Sequence, residues 1–476
     1  MERYSPHTKA RADDMRPIEG TVEVAVPADV LWDVFRRPDL WPCWNACMAW
    51  VGTTSLVKGG RLVWAFEPLR WWYPYRMPAA ATLVEVTEGR QVTWEVTAFP
   101  GFLARHTYTI EETGPGRCRF SSWEQASGPA FRTMRSFWLA HFTFVKNASL
   151  QGARLLEARF RQHGRLDPVT LPGRRWRPLA AARDLLGAAD VLRMSHQELV
   201  PGVWAVIGGG GNSLLVESKG QVLVVDPKCP PFSGMLRRWI SRELGAPCTM
   251  VIDTHHHYDH TFGNVEHPEA RIVAETGVPD LMHQRDGGFW RRHPDGVPRG
   301  ENTVTGTRTL RVGDQEVAIH SLGRGHTSGD LAVRLQRNGR EIVAVGDIGC
   351  VGHYPFFDTG RGGADLQGWA ASAEELAERY PDAIFVPGHG PVASARELRA
   401  QADYIRFLEA SVLGSAHDGL DARGSVRNVD LTSWRLSMLP VLHYGTVLSR
   451  SSSNVRQARR LVLPESSRLG QTELRR

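Results

Sequence analysis

At 476 residues the chain is too long for one hydrophobic core, and two domains of ordinary size are expected. Its 42% hydrophobic and 23% charged residues exclude a fibrous or wholly disordered chain. The net charge of +6 is carried almost entirely by arginine (the lysines are Lys9, Lys58, Lys146, Lys219 and Lys228). Those arginines are scattered, with small clusters at Arg174-Arg175, Arg291-Arg292 and Arg475-Arg476, so no nucleic-acid partner is expected. Cys43, Cys47, Cys118, Cys229, Cys248 and Cys350 form no Cys-x-x-Cys pair and no disulfide framework, which fits a reducing compartment. The longest apolar run, around Phe137-Trp138-Leu139-Ala140, is too short for a membrane span. The expected location is the cytoplasm.

Met1 to Pro17 reads as a polar, disordered leader rather than a signal peptide. Thr21 to Val26 alternates as a strand, and Pro27-Ala28-Asp29 opens a helix through Val34-Phe35. After Trp41-Pro42-Cys43-Trp44, strand character recurs near residues 48–56, 61–66, 80–86, 92–98, 106–111 and 117–123. Glycine-containing turns separate several of them. One long amphipathic pattern then runs from Pro129 to about Gln162. Strand, helix, many antiparallel strands and a long helix make an α+β helix-grip arrangement. With Val24-Ala25-Val26-Pro27-Ala28-Asp29-Val30-Leu31-Trp32 and the Trp41/Trp44 pair, this order resembles the SRPBCC (START-like, polyketide-cyclase and lipid-transport) superfamily over residues 18–163. The resemblance implies a curved sheet and helix around an apolar cavity. Ten tryptophans lie here: Trp32, Trp41, Trp44, Trp50, Trp64, Trp71, Trp72, Trp94, Trp123 and Trp138. They either fill a core or line a ligand cavity. No catalytic constellation is visible in this stretch.

Residues 164–196 carry Pro168, Pro172, Gly173 and Pro178 and read as a linker. A second domain follows over residues 197–462. Strand patterns at 203–207 and 213–216 flank Gly208 to Gly211, a plain hairpin turn, since no Lys-Ser/Thr follows it. Another strand ends at Asp226, and residues 232–244 form a helix. The apolar run Met250-Val251-Ile252 then leads into Asp253-Thr254-His255-His256-His257-Tyr258-Asp259-His260-Thr261. A loop at the end of a buried strand is where an α/β fold places its chemistry. Imidazole and carboxylate at this density suit Zn²⁺. In His-x-His-x-Asp-His, alternate residues point one way and the last two elsewhere, so one loop can serve two ions. More ligand-type residues follow strand-like segments: His326 in Gly325-His326-Thr327, Asp347 after Gly346, and His389 in Pro387-Gly388-His389-Gly390.

These four motifs, in this order, resemble the metallo-β-lactamase superfamily, which implies an α/β/β/α sandwich. The resemblance assigns His255, His257 and His326 to a first metal, and Asp259, His260 and His389 to a second. Asp347 bridges them, and Asp226 matches the family's structural Asp. The implied cofactors are two Zn²⁺, with Mn²⁺ or Fe²⁺ as an alternative occupant of one position. His256 is expected to point away as a packing residue. Cys350 matches no ligand position, and Asp347 points towards dinuclear hydrolases similar to glyoxalase II and lactonases. His257 stands where flavo-di-iron proteins commonly carry Glu, which favours zinc and hydrolysis over redox iron.

The implied reaction is hydrolysis of an ester, thioester or lactone. Two ions sharing a water lower its pKa from about 15.7 towards 7. Asp259 is the candidate for handling its proton, hence the catalytic residue. Tyr258 and His353 are candidate donors to the oxyanion or leaving group. Two segments, Asp286 to His293 and Gly352 to Phe357, are expected to rim the pocket. Their aromatics and arginines suit a small-molecule substrate that is apolar and carries an anionic group. The competing readings are a ligand-binding carrier with a non-catalytic metal site and a β-lactamase-like hydrolase. Oligomeric state is not legible in the sequence.

Overall fold

The computed structural model describes residues 17–67, 76–97, 100–169, 171, 193–429, 431, 434, 436–442 and 446–463. The expected leader, Trp71, Trp72, most of the expected linker and the terminal Arg pair lie outside these residues. The chain forms two compact units. The first takes residues 1–175 together with 414–434, and the second takes 176–413 and 435–476.

In the first unit, β1 (Ile18–Val24), β2 (Met48–Val51), β3 (Arg61–Phe66), β4 (Met77–Thr87), β5 (Gln91–Val96), β6 (Leu103–Gly114) and β7 (Arg117–Ser127) form one antiparallel sheet. Its order is β1-β7-β6-β5-β4-β3-β2. Alternation decides which face is buried: Cys118, Phe120, Ser122, Glu124 and Ala126 of β7 turn inward, with exposed or half-buried residues between them. A 29-residue helix, Arg135–His163, covers that face with Val145, Ala148, Ala153 and Leu156. It ends at Gly164, whose φ of 68° is the left-handed cap that glycine adopts without Cβ strain.

Tryptophan serves both expected purposes here. Trp32, Trp41 and Trp44 pack around Phe35 as solid core. Trp64, Trp94 and Trp138 instead line a cavity of about 750 Å³ between sheet and helix. Trp50 is exposed.

The second unit holds two sheets. The first contains β8 (Ser195–Val200), β9 (Val203–Ile207), β10 (Ser213–Ser218), β11 (Gln221–Val225), β12 (Cys248–Ile252), β13 (Arg271–Glu275) and β14 (Thr303–Val304), in sequential order across the sheet. The second contains β15 (Thr307–Val312), β16 (Gln315–Gly323), β17 (Asp330–Arg337), β18 (Arg340–Cys350) and β19 (Ile384–His389). Leu214, Val216, Leu223 and Ile252 from one sheet share a core with Val317, Ile319, Val333 and Ile342 from the other. Behind the first sheet, Val206, Leu215 and Val224 pack on Leu236 of the helix Phe232–Trp239. The helix Leu366–Arg379 packs on β18. The layers are helix, sheet, sheet, helix. β11 through β14 run parallel, as do β18 and β19, so their carboxyl ends gather on one rim.

Candidate metal centre

Each expected ligand sits where a strand ends or breaks. β12 stops at Ile252, and the histidine loop turns into the short helix Tyr258–Thr261, so His255 and His257 precede that helix while Asp259 and His260 lie on it. His326 lies in the tight connection from β16 to β17, whose Asp330 accepts from the Thr327 backbone N at 2.9 Å and from its hydroxyl at 2.7 Å. Asp347 differs from expectation: it lies within β18, not after it. The register to β19 shifts on both sides of Gly346, and that bulge re-aims the strand without ending it. His389 ends β19.

Asp226 organises the histidine loop from below. Its Oδ1 accepts from the Thr254 backbone N at 2.7 Å, and its Oδ2 from the Thr254 hydroxyl at 2.7 Å and His260 Nδ1 at 2.8 Å. The Thr254 hydroxyl has one proton, given to Asp226. Its oxygen therefore accepts from His255 Nδ1 at 3.0 Å. Both histidines are thereby oriented with Nε2 facing inward as the available ligand atom. On the far side, Asp358 lies 3.4 Å from His257 Nε2 and is itself held by Arg285 and the Gly360 backbone N. That leaves His257 Nδ1 as its inward lone pair.

Two clusters result. His257 Nδ1 lies 3.1 Å from His255 Nε2 and 2.9 Å from His326 Nε2. Asp347 Oδ2 is 3.3 Å from that same His326 nitrogen. The other carboxylate oxygen, Asp347 Oδ1, is 3.2 Å from His260 Nε2 and 3.5 Å from His389 Nε2. Asp259 Oδ2 completes the second group, 3.4 Å from His389 Nε2. Both groups can hold a metal ion. His260 Nε2 and Asp347 Oδ1 are buried without a hydrogen-bond partner; lone pairs face lone pairs in the first cluster, and in the second two imidazoles face the carboxylates of Asp259 and Asp347. A cation between them fits that donor set; a neutral core does not.

The electrostatics divide the same way. Burial pushes His326 down to about 3, and burial with the neighbouring His260 pushes His255 well below the usual range. Burial also opposes charge on His389, but Asp347 and Asp259 outweigh it and raise the ring to about 9. Burial likewise opposes ionisation of Asp259, yet His260 and His389 bring it down to about 2. Two glycines make the approach possible. A Cβ on Gly388 would overlap the Asp347 carboxylate, and one on Gly211 would lie 2.5 Å from the His260 ring.

His256 turns away from both clusters. It is buried, both ring nitrogens lack hydrogen-bond partners, and burial holds it neutral. With His257 and Asp358 it forms a third metal-capable group. Tyr258 packs against Phe262, and His353 lies beside His389 in a cleft of about 490 Å³ that Arg193, Ser195 and Asn212 also line. The expected rim at residues 286–293 is not a loop. The helix Val278–Trp290 kinks at Asp286 and resumes to Trp290, which is fully buried, while Phe289 stacks on Phe262 at 3.8 Å. Those aromatics are core, because the helix turns them towards Ala274 and Val278. Of the other segment, Phe356 approaches His257 and Phe357 packs on Trp369.

Residues 206–389 match the family model of the metallo-beta-lactamase superfamily, and residues 15–161 match that of polyketide cyclase / dehydrase and lipid transport. The chain joins a metallo-beta-lactamase domain to a polyketide cyclase-type domain. A hydroxyacylglutathione hydrolase from Polaromonas sp. (strain JS666 / ATCC BAA-500) is 31% identical over 192 residues. That match spans 39% of this chain and 65% of the relative. A solved metallo-beta-lactamase from Pontibacter korlensis aligns with a TM-score of 0.38 at 21% identity, covering 45% of this chain and 99% of that one. Within the metallo-beta-lactamase domain, Thr254, Asp358, Arg285 and Gly211 were not singled out by sequence. Thr254 adjoins the histidine motif and carried some signal; Asp358 carried none, because only folding brings it to His257.

Proposed function

We propose that the metallo-beta-lactamase domain is a dinuclear zinc hydrolase of a thioester, ester or lactone. The observation that carries this reading is Asp347, whose two oxygens face two separate nitrogen-rich clusters, as a bridging ligand requires. His255, His257 and His326 would hold one ion, and Asp259, His260 and His389 the other. Nitrogen and carboxylate donors without thiolate suit Zn²⁺, with Mn²⁺ or Fe²⁺ as alternatives at one position. When bound, such ions supply Lewis acidity and a water nucleophile at neutral pH. The protein's own part is orientation and proton handling. Asp226 and Asp358 fix the inward imidazole nitrogens, and Asp259, kept ionised by His260 and His389, would be the group beside the second position that handles the proton of the attacking water. The cleft beside His389 carries Arg193 and His353, which supports a substrate with an anionic group. The similarity to a hydroxyacylglutathione hydrolase supports an acylated thiol as the first class to try. The polyketide cyclase-type domain would bind an apolar compound in its cavity. Six free cysteines support a cytoplasmic location, and among the described residues no helix is long and apolar enough to cross a membrane. The test is metal analysis of the full chain with a panel of thioester, lactone, aryl ester, β-lactam and phosphodiester. Close to two zinc per chain and chelator-sensitive turnover of an acyl substrate are expected. Two bound zinc with no turnover of any member would return the protein to a non-catalytic carrier.

A further inference from the structure

The inner face of the first unit's sheet is mostly apolar, and Ser122, Glu124 and His106 interrupt it. A single row of inward residues crosses it through backbone pairing: Ile18 with Glu124, Glu124 with His106, His106 with Trp94, and Trp94 with Leu83. Two ionisable groups thus stand side by side in a line otherwise built from Ile, Trp and Leu. Glu124 is 3% exposed and His106 is 7% exposed. His106 Nδ1 lies 2.7 Å from Glu124 Oε1, an ion-pair distance, and both Glu124 Oε1 and His106 Nε2 are buried with no hydrogen-bond partner of good geometry. Both residues line the 750 Å³ cavity. The ring of His106 is held rather than free: it stacks on Trp94 at 4.3 Å and meets Tyr108 edge-on at 4.3 Å.

Such a pair does not help the fold. A buried ion pair is often no more stable than apolar residues of similar volume, and each unmet polar atom adds a cost. On β7 the inward neighbours of Glu124 are Ala126 and the small Ser122, with Phe120 beyond, and none of them is charged. The cavity is in the size range of small-molecule sites, and its other walls include Trp64, Phe66, Trp138 and Phe142. Few polar groups on an apolar wall are how such sites fix orientation.

We infer that His106 and Glu124 are the polar anchor of a ligand site in this cavity, which takes a flat, apolar molecule bearing one hydroxyl or carbonyl group. Of the arginines on the cavity wall, Arg105 is already paired with Glu95 and Arg61 stands exposed at the edge, so the discrimination rests on the hydroxyl or carbonyl group and not on ligand charge. His141, on the helix side of the cavity, is kept neutral by burial and adds no charge. This rests on the reading that the domain binds an apolar compound, and adds what recognises it.

The experiment compares 2-naphthol with 2-methylnaphthalene, alike in shape and different in the hydroxyl, by equilibrium dialysis against the full chain. Naphthol should bind about tenfold more tightly, the increment of one hydrogen bond to an ionisable group. In the double variant His106→Phe, Glu124→Leu the ratio should fall to near one, with methylnaphthalene affinity kept; an apolar replacement of a buried pair is expected to fold. Equal affinities in the native chain, or a preference that survives in the double variant, overturn the anchor but leave apolar binding standing. If neither probe binds, the apolar-ligand reading falls with it. The native comparison needs no variant, so a misfolded variant cannot shield the inference.

Discussion

Asp347 faces both metal-capable clusters, one carboxylate oxygen to each. Asp347→Ala is expected to lower zinc from about two to about one per chain and to reduce kcat at least 10²-fold, read by metal analysis beside initial rates. Two retained zinc at unchanged activity would remove the bridging role. His141 gives a residue-scale prediction of another kind. Burial lowers its pKa from the usual 6.5 to about 4. Between those values the unfolded chain holds a proton that the folded one refuses. Its contribution is therefore intact above pH 6.5 and lost as pH falls to 4, by ~3 kcal/mol at the limit. Urea midpoints measured across that window should fall less steeply for His141→Phe than for the native chain. Parallel slopes would show that the ring is not buried neutral.

At the scale of elements, the glycine turn between β9 and β10 is a wall of the site. Lys228, fully buried, donates to the carbonyls of Val206, Gly208 and Gly211 at 3.0, 2.7 and 2.7 Å. It thereby holds Gly211 against the His260 ring, and Gly210 near Asp259. Lys228→Met leaves three carbonyls without their donor. A loss of roughly 3 kcal/mol or more is expected, with the second metal position weakened before the first. Thermal unfolding and zinc titration of the same sample check both halves. Sequence read this turn correctly as a hairpin and could not see its use, because nothing local says that Lys228 folds back under it. The rim at 286–293 failed for the opposite reason. Gly287-Gly288 suggested a hinge, and the chain does kink at Asp286, but burial of Trp290 and stacking of Phe289 on Phe262 return it to helix despite the weak propensity of two glycines.

For the whole molecule, the division into units does not follow chain order. Residues 414–434 return to the first unit, where Asp418 pairs with Lys146 at 2.9 Å and Trp434 lies under the Arg159 guanidinium. Val429, Leu431 and Trp434 are buried there. Deleting residues 1–196 strips that segment of its partners and exposes apolar surface. The truncated chain is expected to be less soluble and to melt earlier than the full chain, in light scattering and thermal unfolding. A monodisperse fragment melting as the full chain does would show that the segment is dispensable.

The sequence by itself determined which residues could bind metal, that two folds follow one another, and where most of the strands lie. These rest on local chemistry: ligand-type side chains at strand ends, and a period of two along each strand. Only the tertiary structure decided how Asp347 divides its oxygens, which carboxylates set the imidazole tautomers, and where the chain recrosses between units. It also decided that His106 and Glu124, one on β6 and one on β7, stand side by side at a cavity. Each of these is a contact between residues distant in the chain, set by strand register and packing, and no local pattern encodes it.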